Sequence, residues 1–313
     1  MYQIREEESS DTAVKRVIWE EIEGSIALLA DPAVSQEESA SLETALSLET
    51  AVHEARKSIK RVRAALRLVR ADIGEAVFGR ENTCFRDIAR QLAPVRDSAV
   101  MVETLDLVRV QYEARVTADS FEIVRQKLVE QKVATNRQFF EQGNALSSVV
   151  ESLAAAGQRV EDLPIGSQDF GAYGGGLKRV YGRGRRRMAR AYEDGRSPQK
   201  FHDWRKRVKD LWHYMEFLQP LWPPILDAAA VELHRLSDYL GEAHDAAVLT
   251  AYIEKNRSNF AGEPDLPLLL TLLSDRRREL ESAAQPLGRL IYGEKPAEFV
   301  RRLAAYWDTW QQI

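Results

Sequence analysis

The chain has 313 residues, 44% hydrophobic and 29% charged, with a formal net charge of −4. That length suits about two domains or one large one, and that balance buries a sizeable core, which excludes a globally disordered chain. The slightly acidic total gives no bulk attraction for nucleic acid, and the single cysteine, Cys84, excludes an internal disulfide framework or a multi-cysteine zinc site.

Cys84 is expected to be a small buried apolar side chain in a reducing compartment. The opening MYQIREEESS is acidic and has no apolar centre, so no signal peptide is expected. No stretch approaches the roughly 18 uncharged apolar residues of a membrane span. A cytoplasmic protein is the expectation.

Asp11 to Ala30 reads as a first helix with Val14, Val17, Ile18, Ile22, Ile26 and Leu29 on one side. Asp31 to Ala40 is a polar connection. A long helix then runs from Ser41 to Asp72 or Gly74. Its segment Val52 to Arg70, VHEARKSIKRVRAALRLVR, carries two opposed stripes at helical spacing. Ala55, Ile59, Val62, Leu66 and Val69 form the apolar one. His53, Arg56, Lys57, Lys60 and Arg67 form the cationic one, with Arg63 and Arg70 at its edge and Glu54 the only acid in the segment. A third helix is expected from Thr83 to about Val110, bent at Pro94. A fourth, from Ala118 to Ala155, places Phe121, Val124, Leu128, Val133 and Phe140 on one side. Ala156 to Gly176, with the run Gly174–Gly175–Gly176, reads as a boundary.

The pattern then restarts. Leu177–Lys178–Arg179–Val180 repeats Val14–Lys15–Arg16–Val17. Phe201 to Gln219, FHDWRKRVKDLWHYMEFLQ, repeats the cationic helix at an offset of 149 residues. His202, Arg205, Lys206 and Lys209 match His53, Arg56, Lys57 and Lys60. Trp204, Val208, Leu211, Met215 and Leu218 supply the apolar stripe. His213 falls on the cationic side, and Glu216 stands where the first copy has Arg67. Ser197–Pro198 starts this helix and Pro220, Pro223 and Pro224 end it. Phe85 to Met101 aligns with Leu233 to Leu249 at an offset of 148, which puts Arg96–Asp97 on His244–Asp245. Further helices follow around Leu266 to Leu287 and from Pro296, the last with Tyr306, Trp307 and Trp310. Three helices repeat in order, so the expected fold is all-α with a duplicated bundle of about four helices in each half. The boundaries are 1–156 for the first half, 157–176 for a linker and 177–313 for the second half.

Exposed Lys and Arg are by default a solvated face. Here the first copy has almost no interleaved acid, the pattern occurs twice and each copy begins with His, so a polyanionic partner is expected. From Lys178 to Lys209 there are thirteen Lys and Arg against three acids. Within it, LKRVYGRGRRRMAR offers Arg179, Arg183 and Arg187 as phosphate forks, Tyr181 as a neutral donor, and Gly182 and Gly184 for close approach by a ligand. A basic segment for nucleic acid or an acidic protein is the rival there. Twice a His-Asp pair occurs, at His202–Asp203 and His244–Asp245, which invites a metal-dependent phosphohydrolase of the HD type. Arg205, Lys206 and Lys209 beside it oppose metal binding, so no metal and no cofactor is expected; Asp97 and Asp245 read as orienting partners. His53, His202 and His244 are candidates for charge that responds to pH, and His234 is an ordinary histidine. Trp204 reads as core and Trp212 stays open. No GxxxxGK[ST] loop exists.

The His-x-x-Arg-Lys-x-x-Lys helix, its second copy, the YGRGRRR segment and HDAAVL together resemble the CHAD family, the conserved histidine α-helical domains, over about Asp11 to Trp310. That resemblance implies two pseudo-symmetric helical bundles around a basic central groove, no catalysis, and binding of inorganic polyphosphate, with targeting to polyphosphate granules in some members. It implies one wall of His53, Arg56, Lys57 and Lys60, an opposite wall of His202, Arg205, Lys206 and Lys209, and additions from Arg96 and His244. Arg67, Arg179, Tyr181, Arg183 and Arg187 extend the expected site. Many family members carry a triphosphate-processing CYTH domain. None precedes the bundle here, so activity by that route is not expected. Nucleic acid remains the expected competitor.

Overall fold

Each apolar stripe needs a neighbouring helix to cover it; apart from Val133 of the expected fourth helix, which is exposed, the computed structural model supplies one. It describes residues 2–31, 42–117, 119–141, 145–193 and 196–312. Most of the expected polar connection before Ser41, Ser41 itself, Ala118 and the Phe140 side chain lie outside the described residues. Among the described residues there are eleven α-helices and no strand. They are α1 (Ser10–Leu29), α2 (Leu42–Leu68), α3 (Arg70–Gln91), α4 (Ala93–Gln111), α5 (Glu122–Glu141), α6 (Ala145–Gln158), α7 (Gly171–Ala191), α8 (Pro198–Phe217), α9 (Pro223–Lys255), α10 (Leu266–Ile291) and α11 (Pro296–Trp310).

The count exceeds the expected four per half for local reasons. The long helix stops at Val69, whose φ of −92° and ψ of 11° leave the helical region. The chain restarts at Arg70 and turns again at Gly74, where φ is +79°, a conformation that glycine adopts without Cβ strain. Pro94 does not bend a helix. It lies in the first turn of α4, where its missing N–H costs nothing. α8 likewise begins at Pro198, although Ser197 makes no side-chain capping bond.

α2 is the hub. Ala55, Ile59, Val62, Leu66 and Val69 are all buried, as the spacing predicts, and α1, α3, α4, α7 and α8 all pack against this helix. Trp204, Val208, Leu211 and Met215 on α8, and Leu218 just past its end, are buried in the same core. The extreme N-terminus clasps the two helices: Tyr2 Oη donates to the Arg61 carbonyl at 3.1 Å, and the Ile4 N–H donates to the Phe217 carbonyl at 3.0 Å.

A second core joins Val102, Leu105 and Val108 of α4 and Val124 and Leu128 of α5 to Ala246, Leu249 and Ile253 of α9 and Leu269, Leu272 and Leu273 of α10. Helices from before and after the expected boundary therefore share one interior.

The boundary itself needs correcting. Residues 171–176 of the expected linker are helical and belong to α7. Gly176 faces the end of α2 so closely that a Cβ there would lie 2.0 Å from the Leu68 carbonyl oxygen. The glycine run serves close helix–helix approach and does not break the helix. Glycine in a helix interior costs about 1 kcal/mol relative to alanine, and the contact it permits offsets that.

Candidate anion-binding site

α2 buries its apolar stripe against α1, which leaves His53, Arg56, Lys57 and Lys60 on another face. α8 does the same with His202, Arg205, Lys206 and Lys209, and α2 packs directly on α8. α4 and α9 pack beside them and bring Arg96 and His244. The structure thus gathers ten of the expected residues from four helices. Lys60 feels the charges of Lys209, Arg56, Arg205 and Arg96, and Lys209 in turn feels Arg205 and Lys57. The imidazoles of His202 and His244 stack at 4.0 Å between centroids.

Anchors inside the cluster are few. Arg56 donates to the Ala89 carbonyl at 2.6 Å and stands 3.8 Å from Asp97. Arg96 pairs with Glu103 at 2.7 Å, Lys57 with Glu54 at 2.8 Å and Lys206 with Asp203 at 3.3 Å. Lys209 lies 5.7 Å from the Trp212 ring centroid, a cation–π contact. Among the described residues neither Lys60, Lys209 nor Arg205 has a carboxylate within ion-pair distance, and Nε of Arg56 and of Arg205 has no hydrogen-bond partner. Room for Arg205 comes from Gly241 on α9, where a Cβ would sit 2.7 Å from the guanidinium. Sequence reading missed this glycine, because nothing in its neighbourhood names Arg205.

Crowded cations destabilise one another, and protein around them removes water. Desolvation by the surrounding protein, then Lys209 and the three arginines, push the Lys60 ammonium down to about 7, a shift that the exposure of this residue to solvent moderates. Burial and Arg205 take Lys209 down to about 8. Burial followed by Lys206 and Arg205 holds His202 down to about 4, and burial with the His202 ring holds His244 down to about 3. His53 is lowered by burial and by Arg96. Near neutral pH His202 and His244 are therefore neutral donors in the free protein. Asp97 and Asp245 are raised by burial in spite of Arg56 and Arg205 respectively, so neither is a tight ion-pair partner.

A family model described as the CHAD domain matches residues 33–254, more than half of the chain. The chain belongs to the CHAD family. A solved structure, the CHAD domain from the plant Ricinus communis, is similar in fold, with a TM-score of 0.59 and 14% identity over 98% of this chain and 94% of that one. No curated protein matches.

The other five expected residues of this CHAD chain lie elsewhere. Arg67 pairs with the buried Asp210 at 3.1 Å and with Asn82 at 3.1 Å. Arg207 reaches the same carboxylate at 3.0 Å. Tyr181 is no ligand donor. It is fully buried, its hydroxyl donates to the Ile291 carbonyl at 3.0 Å and accepts from the Glu294 N–H at 3.1 Å, and its ring stacks on Phe299 at 4.1 Å. Gly182 and Gly184 admit Pro296 and Tyr292, not a ligand. Arg179 pairs with Glu75 at 3.5 Å. Arg183 is exposed and feels Arg207, Arg179, Arg70 and Arg186, away from Lys60. Arg187 reaches Asp203 at 3.3 Å, the acid that also holds Lys206, so it borders the ten-residue cluster.

Three tryptophan and histidine readings resolve as well. Trp204 is fully buried. Trp212 is half-buried, stacked beside His213 and edge-on to His234. His213, expected among the cations, is buried under Tyr2 and bonds Glu216 at 3.0 Å. The N-terminal clasp covers a face that helical periodicity leaves open. Among the described residues no three His, Cys, Asp or Glu side chains gather as a metal would need. The two His-Asp pairs instead stack their rings beside Arg205 and Lys206.

Proposed function

We propose that this chain is a non-enzymatic binder of inorganic polyphosphate, held by Arg56, Lys60 and Arg96 on one side and Arg205 and Lys209 on the other. One observation carries the reading: five cations converge from three helices, and among the described residues only Arg96, on Glu103, has a close carboxylate partner, with Arg56 3.8 Å from Asp97. An unbranched polyanion with one negative charge on each phosphate supplies what is missing. Arginine forks bind its oxygens in bidentate fashion, lysines act as point charges, and the neutral imidazoles of His202 and His244 each offer an N–H donor. Membership of the CHAD family, which is associated with polyphosphate binding, supports the same ligand. The faces of α2 and α8 would then act as two walls of a basic groove, and residence at cytoplasmic polyphosphate granules would follow from the ligand.

The test is a titration with long-chain polyphosphate at two salt concentrations, against RNA as competitor. Affinity should fall steeply with salt because bound phosphates release counterions. Arg56→Glu with Arg205→Glu should weaken binding roughly a hundredfold or more, since each reversal leaves partner charges opposed. Unchanged binding in that double variant, or displacement of polyphosphate by equivalent RNA, sinks the assignment.

A further inference from the structure

We propose that the seam between α8 and α9 extends the cationic cluster into a nucleoside site. The chain would then take nucleoside polyphosphates whose base carries an amino group, with the phosphates at Arg205 and Lys209 and the base in a cleft beside Trp212. This rests on the anion-binding reading of the cluster and adds a second ligand class to it.

The two helices pack as an antiparallel pair, and side-chain contacts mark the seam along its length. His202 stacks on His244 at 4.0 Å between centroids, and Arg205 fills the space that Gly241 leaves. Trp212 meets His234 edge to face at 4.4 Å, and the Gln219 amide donates to Asp227 at 3.1 Å. On α8, Arg205, Lys209, Trp212 and Glu216 recur at spacings of four, three and four, which puts them on one helix face. On α9, Asp227, Val231, His234, Asp238 and Gly241 follow the same rule. The α8 face therefore changes character along its length, from two cations to an aromatic ring and a carboxylate. Lys209 stands at the junction, with its Nζ 5.7 Å from the Trp212 ring centroid. Arg205 and Trp212, seven residues apart, are about 10 Å apart along the helix axis.

Beyond Lys209 lies a cleft of ≈ 690 Å³. Small-molecule sites span about 300–1,000 Å³, so a nucleoside fits that space. α8 and α9 form two of its sides, and Tyr2, Gln3 and Arg61 close a third. Its rings are set for a planar ligand. In the perpendicular contact of Trp212 with His234, the ring that gives its edge keeps its own faces clear of the other, and the His234 side chain is 51% exposed. The polar groups of the cleft accept more than they donate. Arg61 and Arg235 are tied to acids outside it, Glu21 at 3.2 Å and Glu232 at 2.6 Å, so neither competes for phosphate. Glu216 and Asp238 bond histidine rings at 3.0 and 2.7 Å, and Asp227 bonds the Gln219 amide, each through one oxygen. The second oxygen of such a carboxylate can accept from the amino group of a base. The same negative charge repels phosphate, which orients the ligand with its base in the cleft and its phosphates toward Lys209.

Calorimetric titration of the full chain with ATP and with inorganic tripolyphosphate, at one pH and salt concentration and without divalent cations, compares three phosphates with and without a base. ATP should bind about tenfold more tightly, because base stacking adds affinity that the phosphates alone lack. Trp212→Leu should abolish that advantage and Trp212→Phe should retain it. His234→Ala, at an exposed position, should cut it by about threefold or more. Tripolyphosphate and long-chain polyphosphate should bind every variant within about twofold of the wild type, since the cluster is left intact. ATP binding no tighter than tripolyphosphate, with long-chain polyphosphate still bound, overturns the nucleoside site and leaves the polyphosphate assignment standing. An ATP advantage that survives both Trp212→Leu and His234→Ala also overturns it, because the base then lies elsewhere. Tight ATP binding without any binding of tripolyphosphate or long-chain polyphosphate overturns the polyphosphate assignment and keeps the cleft. Binding of none of the three overturns both.

Discussion

Arg56 and Arg67 stand eleven residues apart on α2, and in sequence they look like members of one cationic stripe. Their surroundings differ. Arg67 is paired to a buried carboxylate, Asp210, that Arg207 shares, and Asn82 accepts from the same guanidinium. Arg56 has a backbone carbonyl and a loose contact with the exposed Asp97 at 3.8 Å, and its nearest charges include the cation Arg96. One arginine joins α2 to α8 as part of the fold. The other is held in place without being neutralised, which leaves it able to bind an external anion. The difference is whether an acid was built in beside the cation, and it divides the chain's basic residues into structural and available ones.

The largest effect that separates the two regions should come from Asp210→Ala. Removing the carboxylate leaves Arg67 and Arg207 beside each other in a largely buried setting. Breaking one side of a buried pair costs about 3–5 kcal/mol, and a urea melt should show a loss of that order. The corresponding acid near the available cluster behaves otherwise: Asp97→Ala removes only an exposed 3.8 Å contact with Arg56, so stability should change by less than about 1 kcal/mol. Equal losses from the two substitutions would erase the distinction.

A smaller effect tests the misplaced member of the expected site. Tyr181→Phe keeps the ring on Phe299 but leaves the Ile291 carbonyl and the Glu294 N–H without their partner. Stability should drop by about 1–2 kcal/mol, the cost of an unmade buried hydrogen bond. Polyphosphate affinity in the folded variant should stay within twofold. A large loss of affinity without a loss of stability would return Tyr181 to the binding surface.

What the sequence could and could not disclose follows from the same comparison. The apolar stripes of α2 and α8 were legible because burial enforces the helical period. The pairing of Arg56, Lys60, Arg205 and Lys209 was legible because the pattern recurs, and a repeat implies packing of like on like. Tyr181 was not legible, since it sits among arginines and its cover comes from Ile291, Glu294 and Phe299, more than a hundred residues later. His213 was misread for a similar reason, because Tyr2 of the N-terminus lies on it. Gly174 to Gly176 looked like a break, and only the proximity of Leu68 to Gly176 explains helical glycine there. Periodicity tells which face of a helix is apolar. It does not tell which distant segment covers the remaining faces, nor which cation has been given an acid.

The smallest effect is also the one most specific to uncompensated charge. In the free protein Lys60 is held near 7, below its unfolded value of 10.5. Above about pH 7 the unfolded chain then holds more protons at this position than the folded one, so stability rises with pH until the unfolded lysine also loses its proton. Lys209, near 8, adds a slope of the same sign over a narrower range. Lys60→Met removes one contributor and should flatten the rise of the urea midpoint between pH 7 and pH 10 without abolishing it. Exposure of the Lys60 side chain to solvent keeps the difference modest. A cluster already neutralised by its own acids would give no such trend, so a flat wild-type profile would place Lys60 with Arg67 among the structural cations.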